Sequence, residues 1–588
     1  MLKRLTPRWD LDSLYVGGSE SKQLRNNLIS LKQDVERLRV ELESNSELNW
    51  IETIHKIQDL LIRVRNKRFF INCLNAQNTK DIKAKQLFTE ISQINSAFNI
   101  LLNQFDYRLA NIPQINWKKL LSNQEIQPLA YNLEERRKRV KNKLSKNQED
   151  IINQLIPNGY RGWEQMYNSI VESIKIPFKE QELTVGQAHN NLLSGNNNIR
   201  KNMSEHWEKA WDGKKDLIAN VLNHLAGFRL DIYKQRGWNN ILFEPLEMNR
   251  MQIGTLQSMW KAIDQNKDDL LEYIEIKCKL LKVNSLTFHD FNAPMQMNDS
   301  RFTFEEAANF VLDKFASFSG NMAKFAKIAF ENRWIEAENR PNKKPGAFCS
   351  PLPRMKQSRI FLTFVGTPNN VIALAHELGH GYHQYVIRNM QPFTQLYSMN
   401  VGETAATFSE MIVADAAIKH AKSRYEKIIL LENKVNRGMR LLLTTYSYFL
   451  FEKRFYEERK KGFVHSNRLN EVMIQVQKEV FQDKLSAYDP IAWASRPHFY
   501  MTGIPFYNFP YTFGYLLSYG IYDYVQRYQH NFERVYENFL QDMGRMNVED
   551  LTMTHFNFDI TKVETWDRFV RLLIGDLKEL YTLISESL

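Results

Sequence analysis

The stretch ALAHELGHGYH, residues 373–383, contains residue types that together could hold and use a metal ion. His376 and His380 are four positions apart, so on a helix both imidazoles lie on one face and can bind one zinc ion. Glu377 is rotated by about 100° from His376, where its carboxylate can take a proton from water. The low histidine content, 13 of 588 residues, favours this interpretation over a helix that carries two histidines by coincidence.

A third protein ligand is needed for a catalytic zinc ion. The metzincin pattern is excluded, because it requires Gly and His where this sequence has His383 and Val386. The next candidates are Glu403 and Glu410, seven residues apart and therefore on one face of a predicted helix. Glu403 is either a ligand or a carboxylate favoured by the helix dipole, and Glu410 either orients a histidine or pairs with a buried arginine.

The residues around the motif predict the helix that must position it. Thr367 is a good N-cap and Pro368 then occupies the first helical position, so the helix is expected to run to about Met390. Gly379 and Gly381 are poor helix residues. They indicate that another backbone or a ligand approaches this helix closely. Upstream, RIFLTFV at residues 359–365 is rich in β-branched and aromatic residues and predicts a strand.

Composition favours a mostly α-helical protein. The chain is 43% hydrophobic and 25% charged, with only 23 glycines and 17 prolines in 588 residues. Its three widely spaced cysteines indicate ordinary packed thiols in a reducing compartment. The N-terminus lacks the apolar run of a secretory signal, and the tyrosine-rich, uncharged residues 505–522 are too polar for a lipid-embedded helix. We therefore expect a soluble, cytoplasmic protein without membrane association.

The net charge of +11 raises the alternative of a helical nucleic-acid-binding protein. The densest basic run is EERRKRVKNKLSK, residues 134–146, and it is interleaved with glutamates and apolar residues. A solvated helix face explains this run better than a phosphate-binding stripe does. No nucleic-acid partner is therefore expected.

Helical periodicity extends from residue 20 to about 110 and predicts long antiparallel helices. Thr303 and Glu306 match a capping box, which predicts that a helix begins there and runs towards residue 332. Residues 189–200 are rich in Ser, Gly and Asn, and we place the loosest domain boundary there. We therefore expect an N-terminal helical region over residues 1–190 and a catalytic domain over residues 191–588.

Several ordered motifs resemble those of the oligoendopeptidase F family of zinc peptidases, relatives of thimet oligopeptidase. They are LAHELGHGYH with GETAATFSE, and also WDLDSLYVGG, PGAFCSPLP, FVGTP and FYNFPYTFGYLLSYGIY. The resemblance implies a two-lobed helical fold with a deep substrate cleft, a small β-sheet beside the zinc helix, one zinc ion per chain and cleavage of short peptides. It also implies that Glu403 is the third zinc ligand and that Glu410 contacts a zinc ligand without binding zinc itself.

The resemblance further implies a histidine and tyrosines that bind the peptide and stabilise the transition state. His498 in RPHFY matches the histidine, although on its own it would be interpreted as structural. Tyr507, Tyr511 and Tyr515 recur every four residues, and a tyrosine hydroxyl can donate to an oxyanion. The glycine spacing differs from that of the thimet type, so the tyrosines cannot be assigned one by one. Two interpretations of each tyrosine stay open, a donor to the oxyanion or an aromatic residue of the core.

The strand over residues 359–365 gains a function from the resemblance. If its edge is exposed, it can pair with an extended peptide through Phe361 and Thr363, and the loop with Gly346 and Ala347 can close over the substrate. Alternatively, the strand is fully paired inside a sheet. The sequence thus predicts a zinc-dependent endopeptidase for short oligopeptides, with loose sequence preference and an unassigned oligomeric state. A peptide-binding protein that lost catalysis is the second alternative, against which the intact Glu377 argues.

Overall fold

The computed structural model describes residues 2, 4–44, 47–295, 301–528 and 532–586. These residues form a mostly α-helical fold, which confirms the predicted fold class. The first thirteen helices are α1 (Lys22–Ser44), α2 (Trp50–Gln77), α3 (Ile82–Ala110), α4 (Gln114–Leu121), α5 (Ala130–Val140), α6 (Lys146–Gly159), α7 (Arg161–Ser173), α8 (Val185–Leu192), α9 (Asn197–Asp212), α10 (Lys215–Gln235), α11 (Phe243–Met248), α12 (Ile253–Gln265) and α13 (Lys267–Leu281).

The remaining helices are α14 (Phe288–Asn292), α15 (Phe304–Phe318), α16 (Gly320–Glu331), α17 (Pro368–Ile387), α18 (Met399–Lys419), α19 (Arg424–Met439), α20 (Thr445–Arg459), α21 (Ser466–Phe481), α22 (Ala492–Ser495), α23 (Phe509–Arg527), α24 (Phe532–Asp542), α25 (Val548–Phe556) and α26 (Val563–Ser585). The strands are β1 (Ile176–Phe178), β2 (Gln181–Leu183), β3 (Ile335–Glu336), β4 (Phe348–Leu352) and β5 (Gln357–Phe361). Within the described ranges, no helix is both long and apolar enough to span a lipid bilayer.

The chain divides into two compact units, each built from three segments. The first unit comprises Met1–Ile151, Asp299–Val413 and Val525–Asn547. The second unit comprises Ile152–Asn298, Ala414–Tyr524 and Val548–Leu588. Each unit combines segments that are remote in sequence, so neither unit coincides with residues 1–190 or with residues 191–588. The roles predicted for these two ranges stay a prediction.

Helices α1, α2 and α3 pack together in the first unit, as the periodicity of residues 20–110 predicts. On α1 the fully buried leucines recur every three or four residues, which places them on one helix face. They are Leu24, Leu28 and Leu31, followed by Leu38 and Leu42 two and three turns after Leu31. This apolar face, with those of α2 and α3, forms the main hydrophobic cluster of the unit.

Helix α15 begins as predicted but ends early. Thr303 and Glu306 form the capping box. The helix stops at Phe318, because the side chain of Ser319 accepts a hydrogen bond from the backbone N–H of Met322 and caps α16. A single helix to residue 332 is therefore wrong, and the Ser-Gly pair at this point was the local signal for the break.

The three-stranded sheet of the first unit corrects the strand prediction. The strand is β5, Gln357–Phe361, and it lies in the centre of the order β3-β5-β4. It pairs parallel with β3 and antiparallel with β4. An exposed edge over residues 359–365 is therefore wrong, because both sides of β5 are occupied by other strands.

Strand β4 falls inside the region that the sequence indicated as a loop. Its Pro351 cannot donate a backbone hydrogen bond, which is tolerated at the edge of a sheet. Among the described residues, β4 has β5 as its only neighbouring strand. The strand edge without a neighbouring strand therefore belongs to β4 and not to β5, and β4 packs on α2 and, together with β5, on α17.

The basic run over residues 134–146 belongs to α5 and the turn after it. Arg136 Nη1 lies 2.9 Å from Asp106 Oδ1, and Lys143 Nζ lies 3.8 Å from the other oxygen of that carboxylate. Arg139 pairs with Glu135 at 2.9 Å. These three cations are thus paired with carboxylates within the first unit, and the Arg136–Asp106 pair, whose side chains are 14% and 10% exposed, is more buried than a solvated helix face predicts.

Candidate active site

Helix α17 positions the two histidines of the motif. Thr367 caps it through a reciprocal pair of hydrogen bonds with Asn370, and Pro368 is its first residue, as predicted. The imidazole rings of His376 and His380 lie one turn apart, with centroids 5.0 Å from each other and planes at 87°. Two ring nitrogens can therefore face one point beside the helix.

Close packing at Gly379 brings α18 to this point. A Cβ atom at Gly379 would lie 2.5 Å from Ser409 Oγ and 2.9 Å from the Cα of Ala406, both on α18. At Gly381 a Cβ atom would lie 2.7 Å from the ring of Phe325. The predicted approach of another backbone is confirmed at Gly379, where the approaching element is the helix that carries Glu403. At Gly381 the close neighbour is a side chain of α16 and not a backbone or a ligand.

We expect Gly379→Ala to lower the stability of the protein by about 1–3 kcal/mol, because the added methyl group overpacks the contact between α17 and α18. The measurement is the midpoint of urea unfolding. Gly254→Ala on α12 is the matched control, since nothing lies within 4 Å of its added Cβ. The control is expected to be neutral or slightly stabilising. Equal midpoints for the two variants would contradict close packing at Gly379.

The donor atoms of His376, His380 and Glu403 all lie within 4.8 Å of one another. Glu403 Oε2 is 3.6 Å from His376 Nε2, and Glu403 Oε1 is 3.8 Å from His380 Nε2. Two imidazoles and one carboxylate are a ligand set of catalytic zinc sites, and donors around a tetrahedral ion of this size are spaced by similar distances. The residues present therefore fit a zinc ion, with Glu403 as the one carboxylate of the set.

Glu410 lies behind this cluster. Its Oε2 is 3.3 Å from His376 Nδ1, the ring nitrogen that does not face Glu403. Burial would lower the pKa of His376, but the hydrogen bond that Glu410 accepts from its ring and the charges of Glu377, Glu403 and Glu410 together raise it. The carboxylate of Glu410 is thus placed to fix the orientation of the His376 ring, as predicted for an outer partner of a metal ligand.

His380 has a different electrostatic environment. Burial, with smaller effects of the neighbouring His376 and His383, holds its pKa well below the usual value. A neutral imidazole is the form that binds a metal ion. Its neighbour His383 is buried as well, and its Nε2 lies 3.0 Å from the backbone oxygen of Leu540, so His383 has a structural role.

Glu377 is almost buried, with 6% of its surface exposed. Its position directly after His376 on α17 brings the carboxylate close enough to raise the pKa of that histidine. A carboxylate at this place can exchange a proton with a water molecule held beside the two histidines. The first unit therefore contains the three donors, the outer carboxylate and the candidate base.

In the second unit, His498 forms an aromatic cluster with Tyr507 and Tyr511. The rings of His498 and Tyr507 are stacked with centroids 5.1 Å apart, and the ring of Tyr511 lies edge-on to His498 at 6.4 Å. The hydroxyl of Tyr511 is 3.2 Å from that of Tyr507. Burial, with a smaller effect of the Arg496 charge, lowers the pKa of His498 to about 4, so its ring is neutral at pH 7.

Tyr515 lies apart from this cluster. It is 2% exposed, and its hydroxyl is 3.3 Å from that of Tyr519, which donates to Asp576 at 2.8 Å. The three tyrosines do not share one helix, because α23 begins only at Phe509 and Tyr507 lies in the turn before it. Of the two interpretations left open for Tyr515, its buried network favours that of a core aromatic.

The four residues expected to bind substrate have different environments. Phe361 is fully buried and stacks on Phe348, with ring centroids 4.9 Å apart, so its side chain belongs to the core. Gly346 and Ala347 are exposed directly before β4, and Thr363 is half-buried after β5. The element that the sequence analysis missed is β4. Its sequence, FCSPL, carries little strand signal because it contains a proline, although its last four residues alternate between half-buried and buried in the structure.

Comparisons with known proteins cover most of the chain. A family model described as peptidase family M3 matches residues 192–572, and a model described as oligopeptidase F matches residues 108–175. Oligopeptidase PepF of Bacillus subtilis is 25% identical over 342 residues, which are 57% of this chain and 50% of that protein. The chromosomal oligoendopeptidase F of Lactococcus lactis subsp. cremoris is 25% identical over 357 residues, 58% of each chain. The chain thus matches 50% and 58% of the length of these two relatives.

The fold is also similar to that of solved structures. The crystal structure of oligoendopeptidase F from Enterococcus faecium superposes with a TM-score of 0.71 at 13% identity. The superposition covers 96% of this chain and 99% of that one. At this level of identity, the similarity concerns the fold of the chain over nearly its whole length.

Proposed function

The chain belongs to peptidase family M3, and we propose that it is a zinc-dependent endopeptidase that hydrolyses peptide bonds in short, unstructured oligopeptides. One observation carries the proposal: His376, His380 and Glu403 bring their donor atoms within 4.8 Å of one another, with Glu377 directly after the first histidine. Hydrolysis of a quenched fluorescent peptide that depends on bound metal tests it.

In this proposal, His376, His380 and Glu403 hold one zinc ion per chain. When bound, zinc supplies a Lewis acid that polarises a carbonyl group and makes water more acidic. The three side chains are only 13–21% exposed, so the site excludes most of the surrounding solvent. Fixed charges act more strongly in such an environment than in open water.

Glu377 acts as the general base. Its carboxylate takes a proton from the water that attacks the scissile carbonyl, and it passes this proton to the nitrogen of the leaving amine. Glu410 acts only through His376, by holding its ring in the ligating orientation across the 3.3 Å contact. These two glutamates therefore have separate and testable roles.

His498 and the hydroxyls of Tyr507 and Tyr511 are the proposed donors to the oxyanion of the tetrahedral intermediate. The neutral ring of His498 supports this assignment, because a neutral imidazole keeps one N–H to donate. Its buried Nδ1 has no hydrogen-bond partner among the described residues, which leaves it available to a ligand. Tyr515, in its own buried network, is not included in the proposed set.

The peptide backbone is proposed to pair with the edge of β4 that has no neighbouring strand among the described residues, in the manner first expected for β5. Main-chain hydrogen bonds to an edge strand give affinity without strict sequence preference. Gly346 and Ala347 precede this strand, so they lie at the end of the proposed track. The proposal includes a cytoplasmic location. It does not include a nucleic-acid partner.

We expect efficient cleavage of peptides of up to about 20 residues, and survival of folded proteins. The recessed donors can be reached only by an extended segment, which a folded domain cannot present. An extended chain of 20 residues is about 66–72 Å long, which is greater than the diameter of one compact unit of this size. The measurement is the cleavage rate of a peptide ladder that contains one cleavable sequence.

The control for this prediction is a folded protein that carries the same cleavable sequence in a structured region. It is expected to be cleaved at least about 100-fold more slowly than the short peptides, because it must unfold locally first. Comparable rates for the folded protein and the peptides would refute the recessed site even if the zinc chemistry were correct.

A further inference from the structure

The second unit contains a cavity of about 310 Å³, and of its lining residues the proposed mechanism uses only His498. Such a volume is at the lower end of the range for small-molecule sites. Its walls combine apolar side chains with an unusual number of ionisable ones. The ionisable side chains are Arg440, Arg496, His189, His289, His498 and Asp489.

The cavity has an excess of positive charge. Arg440 and Arg496 contribute two guanidinium groups, and neither forms an ion pair with a carboxylate among the described residues. The one carboxylate in the lining, Asp489, accepts from the backbone N–H of Ile491 at 3.1 Å and lies 3.9 Å from His289. The two guanidinium groups thus face a single carboxylate in the lining of the cavity.

Arg440 lies in an irregular helical segment. It begins a five-residue π-helical segment, Arg440–Thr444, between α19 and α20. Thr444 donates to the side chain of Asn292 at 2.9 Å, which fixes the far end of that segment. Interruptions of this type inside helices are frequent at functional sites.

Arg496 is fixed by a single neighbour. Its Nε donates to the hydroxyl of Tyr448 at 2.9 Å, and its guanidinium carbon lies 5.0 Å above the centre of that ring. The terminal nitrogens of Arg496 thus keep hydrogen-bond donors for another partner. Burial, with a smaller effect of the Arg496 charge, lowers the pKa of Arg440 to about 10, so the two cations repel each other. An anion bound between them would relieve this repulsion.

We propose that this cavity binds a carboxylate of the peptide substrate, with Arg440 and Arg496 as its partners. The inference rests on the proposed function through His498, which lines the cavity and also belongs to the cluster assigned to the peptide. The carboxylate is either the C-terminus of the peptide or the side chain of an aspartate or glutamate. Arginine is suited to either, because its planar fork matches a carboxylate with two parallel hydrogen bonds.

The test uses peptides of one sequence that differ by a single carboxylate. One pair has a free acid or an amide at the C-terminus, and the other pairs have glutamate or glutamine at successive positions on each side of the cleaved bond. We expect kcat/KM of the wild-type enzyme to be about tenfold or more higher for the carboxylate member of one pair. The pair that shows this ratio identifies the source of the carboxylate.

Arg440→Met is expected to bring this ratio close to one, and Arg440→Lys, which keeps the charge but loses the fork, to give an intermediate ratio. Arg454→Met is the matched control, because Arg454 lies on α20 outside the cavity and pairs with Glu479. It should keep the wild-type ratio. Because each ratio compares two substrates on one preparation, a reduced yield of folded protein does not change it.

A wild-type enzyme that hydrolyses all pairs at equal rates would overturn the carboxylate site, and so would a ratio that survives in Arg440→Met. Failure of the proposed function has a different signature, which is no hydrolysis of any peptide. In that event, calorimetric titration of the wild type and Arg440→Met with the same peptide pairs still decides the inference. A carboxylate preference that disappears with Arg440 supports it, and equal binding of both members overturns it.

Discussion

Glu377→Gln is expected to reduce kcat for peptide hydrolysis by a factor of at least about 10² while the metal site stays loaded. The substitution preserves the size and shape of the side chain but removes the group that takes the proton from water. Since the three donors of the metal site are unchanged, zinc affinity is expected to stay close to that of the wild type. The measurements are steady-state hydrolysis of a quenched peptide and the zinc content of the same preparation.

The control for this prediction is Glu331→Gln, the same chemical change at a residue on α16 that pairs with Lys327 at 3.7 Å and is half exposed. It is expected to leave both hydrolysis and metal content unchanged. Near-normal turnover by zinc-loaded Glu377→Gln would remove Glu377 from the mechanism. Loss of zinc from this variant would instead indicate that Glu377 supports the metal site.

Glu403→Ala is expected to abolish metal binding and hydrolysis together. Glu403 supplies the only carboxylate among the three donor residues, so its removal leaves two imidazoles from one helix to hold the ion. Metal retained after dialysis measures the affinity, and peptide hydrolysis measures the activity. The two are expected to fall in parallel.

Glu410→Ala is the graded comparison for Glu403→Ala, because Glu410 contacts His376 from the side away from Glu403. Outer partners of this kind typically change metal affinity or activity by about 10–100-fold. We therefore expect a partial loss that excess zinc reduces. Full zinc occupancy in Glu403→Ala would move the third ligand to another residue, with Glu410 the next candidate.

The two histidines could be predicted from the sequence because their geometry is local. A spacing of four residues on a well-capped helix determines that both rings share a face, whatever the rest of the chain does. Glu403 was different, since a carboxylate near a helix start has an equally good explanation in the helix dipole. The packing of α18 on α17 at Gly379 and Ser409, a contact 30 residues apart in sequence, brings Glu403 close to the two histidines and thereby supports its proposed role as a ligand.

The sheet illustrates what local patterns leave open. RIFLTFV correctly indicated a strand, but the residues that pair with it are remote in sequence or look like a loop. Ile335 pairs with Ile360, and Cys349 pairs with the same residue from the other side. Edge and centre positions are set by such pairings, which a single strand's composition does not contain.

The tyrosines were ambiguous for a related reason. A spacing of four residues implies a shared helix face only if the helix already exists, and α23 begins after Tyr507. The turn before it contains Phe506 at a φ of 52°, a left-handed conformation that is rare for a bulky residue. Tyr507 therefore packs beside His498, while Tyr515 enters a separate buried network with Tyr519.

Metal content and reactivation of the purified chain test the account most directly. The protein is analysed for metals, stripped with a chelator, and titrated with zinc while hydrolysis of a quenched peptide of fewer than about 20 residues is followed. We predict about one zinc ion per chain, loss of hydrolysis on stripping, and full recovery when about one equivalent of zinc has been added. Undiminished hydrolysis by the metal-free chain would contradict a zinc-dependent endopeptidase built on His376, His380 and Glu403.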